Sequence, residues 1–294
     1  MTLIKSISGI RGTIGGPQGE NLTPIDVVKF TTAYTRLIAE RNPGKRIRIV
    51  VGRDARLSGE LVRNLVVGTL LASGADVIDV GLCTTPGTEM AVITKQADGG
   101  IIITASHNPR QWNALKLLNS AGEFLSDKEG KRVLEMAEEI AYNYPAIDHI
   151  GKMEESSDFN EEHIRQVLTL KGVDVEAVKA RKFRVVVDAV NSVGGVVIPA
   201  LLRELGCEVV ELNCDPTGEF AHNPEPLAEN LTEICAAVVK EKADLGVVVD
   251  PDVDRLAFIM ENGVMFGEEY TLVAVSQYIL KEFGAGATVS NLSS

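Results

Sequence analysis

The sequence predicts an α/β protein of tandem repeated α/β domains with mixed, mostly parallel sheets. Runs of β-branched residues alternate with amphipathic helical patterns along the chain, the mark of parallel strands joined by crossover helices. The first half of the sequence resembles the second, segment for segment. Composition agrees, since 45% of residues are hydrophobic but only 5% aromatic, so aliphatic side chains must fill the cores. A length of 294 residues suits two domains and part of a third.

Taken in order, Arg46-Ile-Arg-Ile-Val-Val-Gly52 reads as a buried strand followed by an amphipathic helix. A small-residue turn then leads into Ser73-Gly-Ala-Asp-Val-Ile-Asp-Val80, and a second helix leads to Ala97-Asp-Gly-Gly-Ile-Ile-Ile-Thr104. The second copy runs through Phe183-Arg-Val-Val-Val-Asp188, Leu205-Gly-Cys-Glu-Val-Val-Glu-Leu212 and Ala243-Asp-Leu-Gly-Val-Val-Val-Asp250. Each copy is one βαβαβ unit. Between them lie a helix over residues 127–142, a turn at Pro145 and a hinge over residues 151–158. After Gly263 a helix over residues 268–283 leads to residues 287–294, which read as the first strand of a third unit. One strand cannot build its own core, so the chain is expected to be a fragment. The expected domains are 1–150, 155–258 and an incomplete third from 259 to 294.

The net charge of −12 argues against general affinity for nucleic acid or anionic membranes. The start, MTLIKSISGIRG, lacks a long apolar run behind a basic segment, so no signal peptide is expected. No apolar stretch reaches the ~20 residues of a membrane helix. Cys83, Cys207, Cys214 and Cys235 show no C-x-x-C spacing and fall in apolar segments, as reduced buried thiols of a cytoplasmic protein would. His107, His149, His163 and His222 are scattered, which leaves no His-rich metal site. Nothing in the sequence sets an oligomeric state.

The chemistry lies where the third strand of each copy ends. In the first copy that place is Thr104-Ala-Ser-His-Asn-Pro109; in the second it is Asp250-Pro-Asp-Val-Asp-Arg255. In register, Ser106 stands where Asp252 stands. Open α/β sheets bind ligands outside the carboxyl ends of their strands, so two such loops predict a cleft between two similar domains. Carboxylates at i, i+2 and i+4 share one side of an extended segment, roughly 6–7 Å apart. Mg²⁺ requires oxygens at about 2.1 Å, so the loop must curl, and Pro251 is compatible with a bend. All-oxygen ligation favours Mg²⁺ or Mn²⁺ over zinc.

Alternatives remain open at this level. Asp250, Asp252, Asp254 and Glu261 match EF-hand spacing, but Arg255 replaces the glycine and the flanks read as strands. A strand followed by D-x-D also resembles haloacid dehalogenase-type phosphotransferases, with Asp250 as nucleophile and Asp252 as acid/base. A solvated acidic turn is the plainest option. The Ser106 segment lacks a GxSxG elbow and could be a capping turn. Adjacent residues of extended chain point opposite ways, so His107 is not automatically a base for Ser106. A phosphoryl group of about −2 on Ser106, beside three carboxylates, would require cations even with one Mg²⁺. Arg11, Arg53, Arg56, Lys116 and Arg255 are the candidates, set at glycine-bounded strand ends.

With these motifs in order, the sequence resembles the α-D-phosphohexomutase family. They are GIRG (9–12), GRDxRxSG (52–59), TASHNP (104–109) with N-x-x-K (113–116), NPEPL (223–227) and DPDVDR (250–255). The resemblance implies that Ser106 is a phosphoserine that donates to a sugar phosphate and is rephosphorylated by the bisphosphate it forms, giving net 1-to-6 isomerisation. It implies Mg²⁺ held by Asp250, Asp252, Asp254 and the phosphoserine oxygen, with hexose 1,6-bisphosphate as activator or intermediate. Lys116 is implied as general base or electrostatic partner; Arg11 and His107 line the phosphoryl path; Arg255, Asn108 and Arg53 bind substrate or phosphate. The family has four domains, so the chain is expected to stop before the fourth and to lack the sugar-recognition and final phosphate loops. Two further departures are mild: Asn113-Ala114 replaces Asn-Gly, and the turn after the second unit's first strand reads Asn191-Ser-Val-Gly194. Glucosamine phosphate is the expected substrate, with glucose or mannose phosphate as alternatives. A reading from another class is a non-catalytic fragment that binds sugar phosphate.

Overall fold

A computed structural model describes residues 1–6, 9–139, 142–284 and 286–290. In chain order the elements are β1 (Ile4–Ser6), β2 (Gly9–Thr13), α1 (Pro24–Arg41), β3 (Arg48–Arg53), α2 (Gly59–Ala72), β4 (Asp76–Leu82), α3 (Thr85–Thr94), β5 (Gly99–Ile103), β6 (Trp112–Leu118) and α4 (Asp127–Glu138). They continue with β7 (Met153–Glu155), α5 (Phe159–Leu168), α6 (Val175–Arg181), β8 (Arg184–Asp188), α7 (Gly194–Glu204), β9 (Glu208–Leu212), α8 (Thr232–Glu241), β10 (Leu245–Val249), β11 (Leu256–Met260) and α9 (Glu268–Phe283).

Two sheets form, in strand orders β1-β2-β6-β5-β3-β4-β7 and β11-β10-β8-β9. The middle of the first matches the whole of the second. In both, the first strand pairs parallel with the second and third, and the third pairs antiparallel with the strand that follows its loop. The internal repeat is therefore a repeat of topology, and both sheets are mixed, as the expected fold class requires. The first sheet adds β1 and β2 beside β6, and β7 beside β4. The segment read as a hinge, 151–158, thus supplies an edge strand.

Strand alternation divides each core into two faces. Ile49, Val51, Ile101 and Ile103 face α1, α2 and α4, while Val50 and Ile102 face Val92 of α3 and Phe159 of α5. In the second sheet Val186 and Val248 pack with Ile234 and Val238 of α8, whereas Val185, Val187 and Val249 pack toward Ile198 and Leu202 of α7. Both units are three-layer α/β/α. Ile101, Ile102 and Ile103 have no exposed surface, and full burial of each contributes roughly 1.5–3 kcal/mol. A Thr23/Asp26 capping box starts α1 and a Ser126/Glu129 box starts α4.

Helix α4 ends at Glu138; residues 140 and 141 of the expected 127–142 helix lie outside the described residues. Helix α9 spans the residues expected of it, and its described residues are exposed or half-buried, Tyr270, Val273 and Val275 more than half exposed. Residues 286–290 form no regular element, and the rest of the 287–294 stretch lies outside the described residues. All four cysteines are free. No helix among the described residues is long and apolar enough to cross a membrane.

The two units touch closely. At Gly218 (φ +75°) a Cβ would stand 2.0 Å from the carbonyl oxygen of Ala55, so only glycine lets the second unit approach that loop.

Candidate active site

Ser106 follows the buried strand β5, and Asp250 follows its counterpart β10. The two loops meet. Ser106 Oγ donates to Asp250 Oδ2 at 2.7 Å and lies 3.5 Å from Asp254 Oδ1. One carboxylate oxygen from each of Asp250, Asp252 and Asp254 lies within 4.8 Å of the others.

Both loops curl through the left-handed region. Ser106 has φ +49°, which breaks strand alternation and brings His107 Nδ1 to 3.4 Å from Ser106 Oγ. In the acidic loop the curl is at Val253, φ +65°, a conformation unusual for a β-branched residue, whereas sequence reasoning had looked to Pro251. Such conformations cost about 1–3 kcal/mol each and persist only where surroundings enforce them.

Arg56 enforces the first. The residue is 1% exposed. Nε donates to Asp54 Oδ2 at 3.0 Å, Nη1 to the carbonyls of Pro109 (2.9 Å) and Trp112 (3.1 Å), and Nη2 to those of Asn108 (2.7 Å) and Ser106. Asp54 in turn accepts from Thr104 Oγ1 at 2.6 Å, and Thr104 Oγ1 accepts the Ser106 N–H at 3.0 Å. Arg56, expected among the phosphate-facing cations, instead holds the serine loop from behind. Arg53 is not brought to the cleft; its Nη1 donates to the Asp54 carbonyl at 3.1 Å and lies against Gly59.

The cations that do reach the site come from β6, which pairs with β5, and from β2 beyond it. Lys116 on β6 and Arg11 on β2 share a face, because Arg11 pairs opposite Ala114, two residues before Lys116. They line a cleft of about 190 Å³ together with Ser106, Thr104, Ala114, Phe124 and Asp254. Lys116 Nζ bridges Asp252 Oδ2 (2.6 Å) and Asp254 Oδ2 (2.9 Å). Burial opposes its charge, but those two carboxylates outweigh burial and raise its pKa. Arg11 Nε is buried with no hydrogen-bond partner among the described residues, and the same holds for Asn108 Oδ1. Arg255 donates its backbone N–H to Asp250 Oδ1 at 3.2 Å and pairs with Glu225 of the NPEPL segment at 3.2 Å. Burial, then the charge of Arg255, lowers the pKa of His107.

The acidic loop fits a divalent cation. Asp250 and Asp252 have no exposed surface. Burial, reinforced by Asp252 and Asp254, pushes the Asp250 carboxyl up to about 8. Asp252 Oδ1 is buried with no partner among the described residues, a lone acceptor that a cation would satisfy. The flanks are strands β10 and β11, which excludes the helix–loop–helix frame of an EF-hand. Sequence reasoning missed two supports. Thr85, at the start of α3, donates Oγ1 to Asp252 Oδ2 at 2.5 Å, and Ser192 donates to the Pro251 carbonyl at 2.7 Å. Neither lies in a segment with a visible signal for this role, since their partners are remote in sequence.

Residues 3–143 match the family model of phosphoglucomutase/phosphomannomutase α/β/α domain I, and residues 161–263 match that of domain II. The chain is 39% identical over 285 residues to a phosphoglucomutase/phosphomannomutase of Thermococcus kodakarensis, covering 96% of this chain and 62% of that protein. It is 35% identical over 286 residues to a protein of Methanopyrus kandleri named "Probable phosphoglucosamine mutase", covering 97% and 60%. The crystal structure of a phosphoglucomutase/phosphomannomutase family protein from Burkholderia thailandensis superimposes with a TM-score of 0.77 at 25% identity, covering 96% of this chain and 60% of that one. The chain thus spans about three fifths of the length of these relatives. With two successive family domains matched and both motif loops in one cleft, the chain belongs to the phosphoglucomutase/phosphomannomutase family, over domains I and II.

Proposed function

We propose that this chain carries the phosphoryl-transfer centre of a phosphohexomutase, an isomerase that interconverts hexose or hexosamine 1- and 6-phosphates. The supporting observation is the 2.7 Å contact between Ser106 Oγ and Asp250 Oδ2, which joins a hydroxyl and an acidic loop from two separate sheets. In the proposed reaction the P–O bond to Ser106 Oγ breaks and a new one forms to the free hydroxyl of the sugar phosphate. The proton of that hydroxyl needs an unprotonated acceptor and the departing Ser106 Oγ needs a proton in return; His107 Nδ1, 3.4 Å from Ser106 Oγ, is the group assigned to take the first and supply the second. Lys116, held charged by two carboxylates, serves as the electrostatic partner. The bisphosphate then returns its other phosphoryl group to Ser106, so phosphate and protons balance over the cycle. Arg11, Asn108 and Arg255 are assigned to phosphate binding. Bound to Asp250, Asp252, Asp254 and a phosphoserine oxygen, Mg²⁺ would offset the charge of the transferred group.

Glucosamine phosphate is the proposed substrate, with glucose or mannose phosphate as the alternative; relatives named for each activity support both. The test is intact-mass and phosphopeptide analysis after incubation with glucose 1,6-bisphosphate. Phosphate on Ser106, lost in Ser106→Ala, is expected, and its absence from the wild-type protein would sink the mechanism. Rates of dephosphorylation of that protein by glucosamine, glucose and mannose 6-phosphates rank the substrates.

A further inference from the structure

The acidic loop belongs to the second sheet, yet Asp252 is gripped from the first. Thr85 is the first residue of α3, with Thr84 as N-cap accepting the Gly87 N–H. It is 2% exposed. Its backbone N–H donates to the carbonyl oxygen of Asp252 at 2.8 Å, and its Oγ1 donates to Asp252 Oδ2 at 2.5 Å. One residue thus holds both the main chain and the side chain of Asp252. The hold is directional, because Oδ2 is taken by Thr85 and Lys116 while Oδ1 is left buried and unpartnered among the described residues.

We propose that Thr85 is a positioning residue that fixes the rotation of the Asp252 carboxylate and thereby presents Oδ1 to a divalent cation. The inference rests on the proposed metal role of the acidic loop. Two properties suit Thr85 to the task. The first turn of a ten-residue helix carries the positive end of the helix dipole, which favours a nearby carboxylate. A hydrogen bond to the oxygen that is not a ligand also restricts a side chain with two equivalent oxygens to one presentation, as partners behind metal ligands commonly do. Because α3 lies against the first sheet, the same contact ties the cation's position to the serine loop, which the first sheet carries.

The test is Mn²⁺ binding to the full chain, measured by calorimetry and by the electron paramagnetic resonance of the bound ion. Thr85→Val keeps the shape and removes the hydroxyl; Thr85→Ser keeps the hydroxyl and removes the methyl. Loss of such a partner typically weakens metal binding about 10–100-fold, so Thr85→Val is expected to fall in that range and Thr85→Ser to stay within about threefold of wild type. Melting temperatures in chelator provide the control, with the metal-free valine and serine variants expected to melt close together. Equal metal affinity in wild type and Thr85→Val would overturn the inference while leaving the acidic loop's metal role intact. Equal losses in valine and serine variants would overturn it as well, by assigning the effect to the methyl group. Absence of Mn²⁺ binding by the wild-type chain would instead overturn the metal reading on which it stands. If Thr85→Val lacks a cooperative unfolding transition, Thr85→Cys takes its place in the same comparison.

Discussion

The serine loop and the acidic loop occupy equivalent places in two units of the same topology, yet they are held in different ways. The serine loop is held through its main chain, with Arg56 donating to the carbonyls of Ser106, Asn108, Pro109 and Trp112. The acidic loop is held largely through its side chains, by Lys116 and Thr85 from the opposite unit, with Ser192 and the Arg255 N–H behind it. The physical reason lies in what each loop must leave free. A loop that presents one hydroxyl can be clamped on its carbonyls without touching that group. A loop that gathers three carboxylates in a buried place must offset their repulsion, and only partners of the side chains do so.

The largest expected effects separate the loops chemically. Ser106→Ala is expected to abolish phosphate incorporation from glucose 1,6-bisphosphate while Mn²⁺ affinity, read by calorimetry, stays within about threefold, since the remaining ligands are unchanged. Asp252→Ala, in contrast, should lose Mn²⁺ binding by at least about a hundredfold. Similar losses in both variants would erase the distinction.

Arg56→Met tests the main-chain clamp. It leaves buried Asp54 without its countercharge and takes the guanidinium donors from four carbonyls, so we expect a loss of about 3–5 kcal/mol in denaturant unfolding. Arg56→Lys should recover little, because a single ammonium cannot reproduce the fork. Ser192→Ala removes two neutral hydrogen bonds, one to the Pro251 carbonyl and a longer one from the Ala55 N–H, and should cost about 1–2 kcal/mol.

The smallest effect concerns the turns behind the two sites. Asp54 directly follows β3 and Asp188 ends β8, the first strands of their repeated units, and each accepts the N–H two residues on at 3.0 Å. Their other partners differ, Arg56 in one case and His222 Nε2 at 3.1 Å in the other. Burial opposes the charge on His222, but the hydrogen bond and charge of Asp188 outweigh it and raise the pKa above its ordinary 6.5. A raised folded-state value contributes stability that is fully present below 6.5 and is lost as pH rises through the folded-state value. The melting-temperature difference between wild type and His222→Gln should therefore shrink as pH climbs from below 6.5. A difference independent of pH would show that the Asp188 turn does not use the imidazolium.

Much of this was legible in the sequence. Periodicity identified the strands at Arg48–Arg53, Gly99–Ile103, Arg184–Asp188 and Leu245–Val249, because fully buried strands must be continuously apolar whatever surrounds them. The internal repeat then paired the two loops, and the motifs placed Ser106 beside the acidic residues before any coordinates. The antiparallel strand β6, by contrast, was not read as a strand, since its place beside β2 depends on a distant partner. The role given to Arg56 also changed, because a guanidinium at a strand end reads alike whether it faces ligand or loop carbonyls.

What the sequence determined by itself is what repeats locally: strand and helix periods, the βαβαβ duplication, and the residue types at each strand end. Tertiary structure decided which groups meet across the two units: Thr85 with Asp252, Lys116 with two carboxylates, and Gly218 against Ala55. The division follows from range. Backbone propensity and burial patterns act over a few residues and are written in neighbouring positions, whereas hydrogen bonds and charge pairs act over about 3 Å in space between residues far apart in the chain.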